Sequence, residues 1–172
     1  RTQGGASKHV GGANRTIIKL AQQLLIHPDV AIGDDPVGSL ARLDQIYDLV
    51  QSNIASEVRG KIGQIADQVD HDMAPPVAKA ICLLQFVQSV HRTPENIAAA
   101  LYPGLDAPSQ LEPVREALRA LEEAHLVRQS DDGYRIPTPA EDDWDRTRNG
   151  ISPKPSDTKR LYRELLAGFW KP

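Results

Sequence analysis

Between Pro76 and Ile136 the chain carries four local signals in an order that few small folds accommodate. The first is an apolar run. Val77, Ile81, Leu84, Val87 and Val90 recur at helical spacing, while Ala80, Cys82, Leu83 and Phe86 widen the stripe into that of a central, mostly buried helix ending near His91. Thr93 then offers a hydroxyl cap, Pro94 suits the first helical position and Glu95 favours the helix dipole. The short helix they open carries Ile97, Ala100 and Leu101 and stops at Tyr102-Pro103-Gly104. A linker through Pro108 delivers Ser109 as the cap of a third helix, with Leu111, Val114, Leu118 and Leu121 on one face. Finally, Leu126-Val127-Arg128 and Tyr134-Arg135-Ile136 flank Asp131-Asp132-Gly133, whose Asp-Gly pair supplies the positive φ of a tight hairpin turn. Three helices closed by a hairpin predict a winged helix-turn-helix over residues 75–139, with the third helix in the recognition position and the hairpin as its wing. Such a module handles nucleic acid or a protein partner and rarely does chemistry by itself.

The flanks are helical too, so the expected fold class is mainly α. Residues 1–14 are flexible by composition. Asn14 caps a helix bearing Ile17, Ile18, Leu20, Ala21, Leu24 and Leu25, which His27-Pro28 stops. From Ser39, the positions Leu40, Leu43, Ile46, Tyr47, Leu49, Val50 and Ile54 predict a second helix. Val58, Ile62, Ile65, Ala66 and Val69 predict a third, or a bent continuation through Gly60 and Gly63. Residues 15–74 therefore read as a helical subdomain. Residues 140–172 hold an acidic helix from Ala140 to about Arg148, a Pro/Ser-rich linker over 150–156, and a last helix with Leu161, Leu165, Leu166 and Phe169. That helix either continues beyond the chain or docks through Trp170.

Composition narrows the function classes. With 172 residues, 40% hydrophobic and 25% charged, the chain suits one or two small helix-rich units. No stretch reaches the roughly 20 apolar residues that span a bilayer and no signal peptide is visible, which predicts a cytoplasmic protein without a membrane partner. The first residue is arginine behind which a Gly/Ser-rich segment precedes the first periodic helix, the look of a piece excised from something larger. The single cysteine, Cys82, lies on an apolar helix face and reads as a buried inert thiol. Gly4-Gly5-Ala6-Ser7-Lys8 has the wrong order and spacing for a phosphate loop, so this chain alone is not expected to be an enzyme. His9, His27, His71, His91 and His125 are scattered, and no metal is expected. Asp70-His71-Asp72 reads as a solvated turn, and Glu141, Asp142, Asp143 and Asp145 as first-turn acids that offset a helix dipole.

Gly11-Gly12-Ala13-Asn14-Arg15, opening the first helix, resembles the sensor-2 segment of the AAA+ lid in the origin-recognition and related ATPase branches. That resemblance implies that Arg15 reaches the γ-phosphate of ATP held by a preceding core, a task suited to a permanently charged, forked guanidinium. A longer resemblance covers roughly residues 15–150. Leu43-Asp44-Gln45-Ile46-Tyr47-Asp48, Ala78-Lys79-Ala80-Ile81-Cys82-Leu83-Leu84-Gln85-Phe86-Val87, Arg92-Thr93-Pro94-Glu95-Asn96-Ile97-Ala98 and Asp132-Gly133-Tyr134-Arg135-Ile136-Pro137-Thr138-Pro139-Ala140-Glu141 are similar to the large P-loop ATPase of BREX phage-resistance systems (BrxC, also called PglY). The resemblance implies a lid and winged-helix fragment of such an ATPase, with the nucleotide core before Arg1. No cofactor is expected in this chain, and ATP with Mg²⁺ is implied for the parent. The implied partners are the upstream ATPase core, neighbouring subunits, other BREX proteins and DNA.

Charge argues against conventional base reading by the third helix. Between Ser109 and His125, Glu112, Glu116, Glu122 and Glu123 outnumber Arg115 and Arg119, and the formal net charge of the chain is -3. The candidate nucleic-acid contacts are Arg115, Arg119, the wing residues Arg128 and Arg135, and Lys159, Arg160 and Arg163 of the last helix, the last three also readable as a solvated face. Two other classes stay open: a stand-alone winged-helix transcription regulator, with the N-terminal helices used for dimerisation, and a purely protein-docking winged helix.

Overall fold

The computed structural model describes residues 17–28, 30–152 and 154–170, so residues 1–14, expected to be flexible, and Arg15 lie outside the described residues. The described residues are mainly helical with one two-stranded antiparallel sheet, and the chain divides into two compact units at Pro137.

In the first unit, α1 (17–26) buries Leu24 but leaves Ile17, Ile18, Leu25 and Ile26 exposed. A 3-10 turn, Ile32–Asp34, follows, and Gly33 lies so close to α1 that an added Cβ would sit 2.7 Å from the Leu25 carbonyl oxygen. The helix expected from Ser39 starts later, as α2 (Leu43–Val50). Its first residues are diverted because the Leu40 N–H donates to the Pro103 carbonyl at 2.9 Å, pairing this loop with the one after the next helices. Gln45 then caps α2 by accepting the Arg42 N–H. Helix α2, expected to run to Ile54, gives way to a 3-10 turn, Gln51–Asn53, and the third helix expected over Val58 to Val69 forms in two pieces, α3 (Ser56–Gly63) and α4 (Ile65–Gln68), broken just after Gly63.

The hub is α5 (Ala74–Leu84), which packs against α2, α3, α4, α6 (Pro94–Ala100), α7 (Leu111–Glu123) and the second strand of the hairpin. Ala74, Val77, Ala78, Ala80, Ile81, Cys82 and Leu84 are all buried, as a helix enclosed on several sides requires. The helix is shorter than its apolar run. Phe86 and Val87 are exposed, because after Leu84 the backbone tightens into i to i+3 bonds and turns toward the hairpin. Gln85 fixes that turn by accepting the Ile136 N–H on Oε1 at 3.1 Å. The Thr93 hydroxyl accepts the Asn96 N–H at the start of α6, and Ser109 accepts the Leu111 N–H at the start of α7. Helix α7 buries Val114, Ala117, Leu118 and Leu121, the i, i+3, i+4, i+7 face, and ends with His125 at φ 59. There the His125 N–H returns to Glu122 and the Leu126 N–H to Leu121, so two carbonyls at the helix end are satisfied.

The hairpin pairs β1 (Arg128–Ser130) with β2 (Gly133–Arg135). Of the turn residues only Gly133 has positive φ, at 94°, whereas the sequence reading assigned positive φ to the Asp-Gly pair. One core joins Tyr47, Ile54, Ile62, Ile65 and Val69 to α5, α6, α7, Val127 and Ile136, so the blocks read as residues 15–74 and 75–139 share it. Lys61 and Lys79 bind across that junction, Lys61 to the Pro137 carbonyl at 2.7 Å and Lys79 to Asp48 at 2.7 Å.

Tyr47 is 2% exposed, yet its hydroxyl has no hydrogen-bond partner among the described residues. A buried unpaired hydroxyl costs roughly 1–3 kcal/mol, so Tyr47→Phe is expected to leave stability unchanged or raise it by about 1 kcal/mol. Chemical denaturation measures this, and a loss above about 1 kcal/mol would show that the hydroxyl is satisfied in solution. Burial also pushes the Tyr47 hydroxyl up from 10.0 to about 12. Between those two values the unfolded chain has released a proton that the folded chain still holds, so stability falls as pH rises through that window. The Phe variant is expected to show a shallower alkaline loss; burial pushes the Cys82 thiol up to about 11 and leaves part of it.

In the second unit, α8 (Pro139–Gly150) opens one residue earlier than expected, on a capping box at Thr138. Thr138 and Glu141 exchange backbone and side-chain bonds, the Ser/Thr-x-x-Glu signature of a helix start. Helix α9 (Pro155–Phe169) follows, and none of its described residues is buried. Among the described residues, no helix is long and apolar enough to cross a membrane.

Candidate nucleic-acid and protein interface

The exposed side of α7 carries the first two candidate cations. Arg115 is occupied: Nη1 donates to Glu112 Oε1 at 2.7 Å, and Nη2 to Glu95 Oε1 at 3.0 Å on α6. The Glu112 bond chiefly holds the guanidinium above its ordinary value. Glu95 is held below the usual carboxylate range, first by its backbone hydrogen bond and then by Arg115. Arg119 is exposed four residues on, among Glu116, Glu122 and Glu123. With Arg115 neutralised, the face a recognition helix would present is net acidic.

The hairpin is different. Arg128 and Arg135 are directly paired across the two strands and half-buried. A third arginine, which the sequence reading did not place in the site, joins them. Arg92 lies between α5 and α6 and bridges β2: its N–H donates to Asp132 O at 2.9 Å, and its carbonyl accepts the Tyr134 N–H at 2.9 Å. Its Nε donates to the Tyr134 carbonyl at 2.7 Å, which aims the guanidinium along the hairpin. The available signal was the Thr93-Pro94 cap, since the residues before a cap and a proline are held extended. Beside these groups lies a polar cavity of about 390 Å³ lined by Gln85, Gln88, His91, Arg92, Asp132 and Arg135.

A second, more apolar groove of about 520 Å³ runs between α6 and the start of α7 and is lined by Leu40, Glu95, Ala98, Ala99, Tyr102, Ser109, Gln110 and Leu111. Its wall is the loop pair noted above, where the Leu105 N–H also donates to Gly38 O at 2.9 Å. The close approach depends on Gly104, whose added Cβ would lie 3.1 Å from the Gly38 oxygen.

The remaining candidates, Lys159, Arg160 and Arg163, are exposed on α9 in the second unit, with Arg160 Nε 3.9 Å from Glu164 Oε1. Arg15 lies outside the described residues. His71, from the Asp70-His71-Asp72 cluster, accepts the Met73 N–H on Nδ1 at 3.2 Å, a turn-stabilising contact. Among the described residues, no group of three or more His, Cys, Asp or Glu side chains is placed to hold a metal ion. Comparisons with protein-family models, curated proteins and solved structures found no match to this chain.

Proposed function

We propose that residues 74–137 form a winged helix whose task is contact with protein rather than reading of base sequence. The order α5, Arg92 bridge, α6, α7, hairpin supports the winged-helix reading, with Arg92 as the third strand position. The observation that carries the task is the capture of Arg115 by Glu112 and Glu95, which leaves α7 an acidic outer face that phosphate repels. More particularly, the chain is the lid and winged-helix part of a P-loop ATPase of the BREX phage-resistance type. In that reading a core domain binds ATP and Mg²⁺, Arg15 senses the nucleotide, and the partners are that core, neighbouring subunits and other BREX proteins. The exposed Ile17, Ile18, Leu25 and Ile26 of α1 suit a helix that packs on such a core. DNA engagement is a second reading, favoured by the gathering of Arg92, Arg128 and Arg135 at the hairpin.

Fluorescence anisotropy with labelled duplexes tests the task. The full chain is expected to bind DNA no more tightly than the roughly 10⁻⁴–10⁻⁶ M of nonspecific association at physiological salt, whatever the sequence. Sequence-selective binding at about 10⁻⁸ M or tighter sinks the proposal and makes the chain a regulator. Weak, salt-sensitive binding lost in Arg128→Gln/Arg135→Gln but kept in Arg119→Gln favours backbone contact through the wing. Parentage is tested by the coding sequence upstream of Arg1, where a phosphate loop followed by an acidic Mg²⁺ motif is expected and the lack of both overturns it.

A further inference from the structure

We propose that the polar cavity beside the hairpin is a receptor for a single carboxylate, the side chain of an aspartate or glutamate presented by a protein partner. This deepens the protein-contact reading above and rests on it. At about 390 Å³ the cavity falls within the roughly 300–1,000 Å³ of ligand sites. Its chief feature is a guanidinium held in place. Arg92 is half-buried, and its backbone is bonded to the hairpin twice, at the Asp132 carbonyl and at the Tyr134 N–H. Its Nε is spent on the Tyr134 carbonyl at 2.7 Å, whereas Nη1 and Nη2 have no hydrogen-bond partner among the described residues. A guanidinium already oriented loses little further freedom on binding, and the edge formed by its two Nη atoms matches the two oxygens of a carboxylate.

The neighbours set the class of ligand. Gln85 gives its Oε1 to the Ile136 N–H at 3.1 Å, so the end of that amide left for a ligand is the donating Nε2. Gln88, three residues on, adds a second carboxamide to the same wall. Arg135 and Asp132 also line the cavity, so with Arg92 the wall carries two positive charges and one negative, and His91 stands with Nδ1 4.0 Å from Asp132 Oδ1. One surplus positive charge among several donors is balanced by a monoanion, whereas a phosphate dianion overshoots it and is repelled by Asp132. A nucleic-acid strand laid over the hairpin meets further acids: burial first, and then the charges of Glu122 and Glu95 against that of Arg119, raise the Tyr134 hydroxyl. A lone carboxylate on a protein surface needs only the cavity.

The test titrates the full chain near neutral pH with N-acetyl-glutamate N-methylamide, followed by proton–nitrogen NMR. The glutamine counterpart and inorganic phosphate at matched ionic strength are the comparison arms. The glutamate probe is expected to saturate at millimolar concentration and to shift the Arg92 Nε–H, the Gln85 side-chain amide and the Ile136 N–H together, while the glutamine probe does not. Arg92→Gln is expected to weaken binding about tenfold, and Arg92→Lys, which keeps the charge but not the fork, about threefold. Arg92 and Asp132 join the hairpin through main-chain atoms, so these variants are expected to keep the fold, which circular dichroism checks. Asp132→Asn removes the opposing charge and is expected to tighten the glutamate probe about threefold, a gain that a misfolded chain does not mimic. No saturable shift in the wild type overturns the proposal, as does an equal response to the glutamine probe. Binding unchanged in Arg92→Gln overturns it too, and phosphate binding more tightly than the glutamate probe assigns the cavity to a phosphate group instead. The choice between protein contact and base reading is decided separately by the DNA anisotropy, so failure of this site is distinguishable from failure of that reading.

Discussion

Gly133→Val is expected to destabilise the first unit by about 3 kcal/mol or more. Gly133 has φ 94°, and an added Cβ would lie 2.4 Å from the Arg92 carbonyl oxygen and 2.5 Å from its carbon. Both atoms are backbone, so no rotamer change relieves the overlap. A β-branched residue at positive φ adds strain of order 1–3 kcal/mol. Relief requires Arg92 and the turn to separate, and that breaks the two 2.9 Å bonds joining them. Urea denaturation with Gly60→Ala as a control is the measurement. Gly60 lies inside α3 with nothing within 4 Å of an added Cβ, so that substitution is expected to stabilise by roughly 0.5–1 kcal/mol. A Gly133→Val variant within about 1 kcal/mol of wild type would show that the bridge is dispensable.

The second large effect is Ile81→Ala, expected to cost roughly 3–4 kcal/mol. Ile81 is 0% exposed in the middle of α5, and a buried Ile cut to Ala loses its transfer free energy and leaves a cavity, together about 2–5 kcal/mol. Because α5 touches elements from both halves of the first unit, the loss is expected to appear as one cooperative transition at lower denaturant. Two transitions would contradict the single core. Phe86 is the comparison: the sequence placed it on the same stripe, but at 72% exposure Phe86→Ala is expected to change stability by no more than about 0.5 kcal/mol.

Those two residues mark how far local pattern reaches. Periodicity located α5 correctly but ran two turns too far, because Phe86 and Val87 continue the spacing while the backbone turns away to let Gln85 meet Ile136. Thr138 and Glu141 show the opposite case, a helix-start signature legible in the sequence that sets the first residue of α8. In the candidate interface, Arg115 was identifiable by type and position, and the surplus of glutamates on α7 was visible. That Glu95 reaches it from 20 residues away was not.

The sequence by itself determined the helices α5, α6 and α7, the Thr93 cap of α6 with its bond to Asn96, and the hairpin with a glycine at the end of its turn, whereas α7 starts on Gln110 rather than on a Ser109 cap. Each depends on dihedral preferences and side-chain contacts within about four residues, which a local pattern encodes directly. The tertiary structure alone decided that residues 43–69 share a core with 74–137, that Arg92 bridges the hairpin, and that Glu95 reaches Arg115 from the neighbouring helix. Those outcomes join groups tens of residues apart, and only a chain already packed around α5 brings them within hydrogen-bond range.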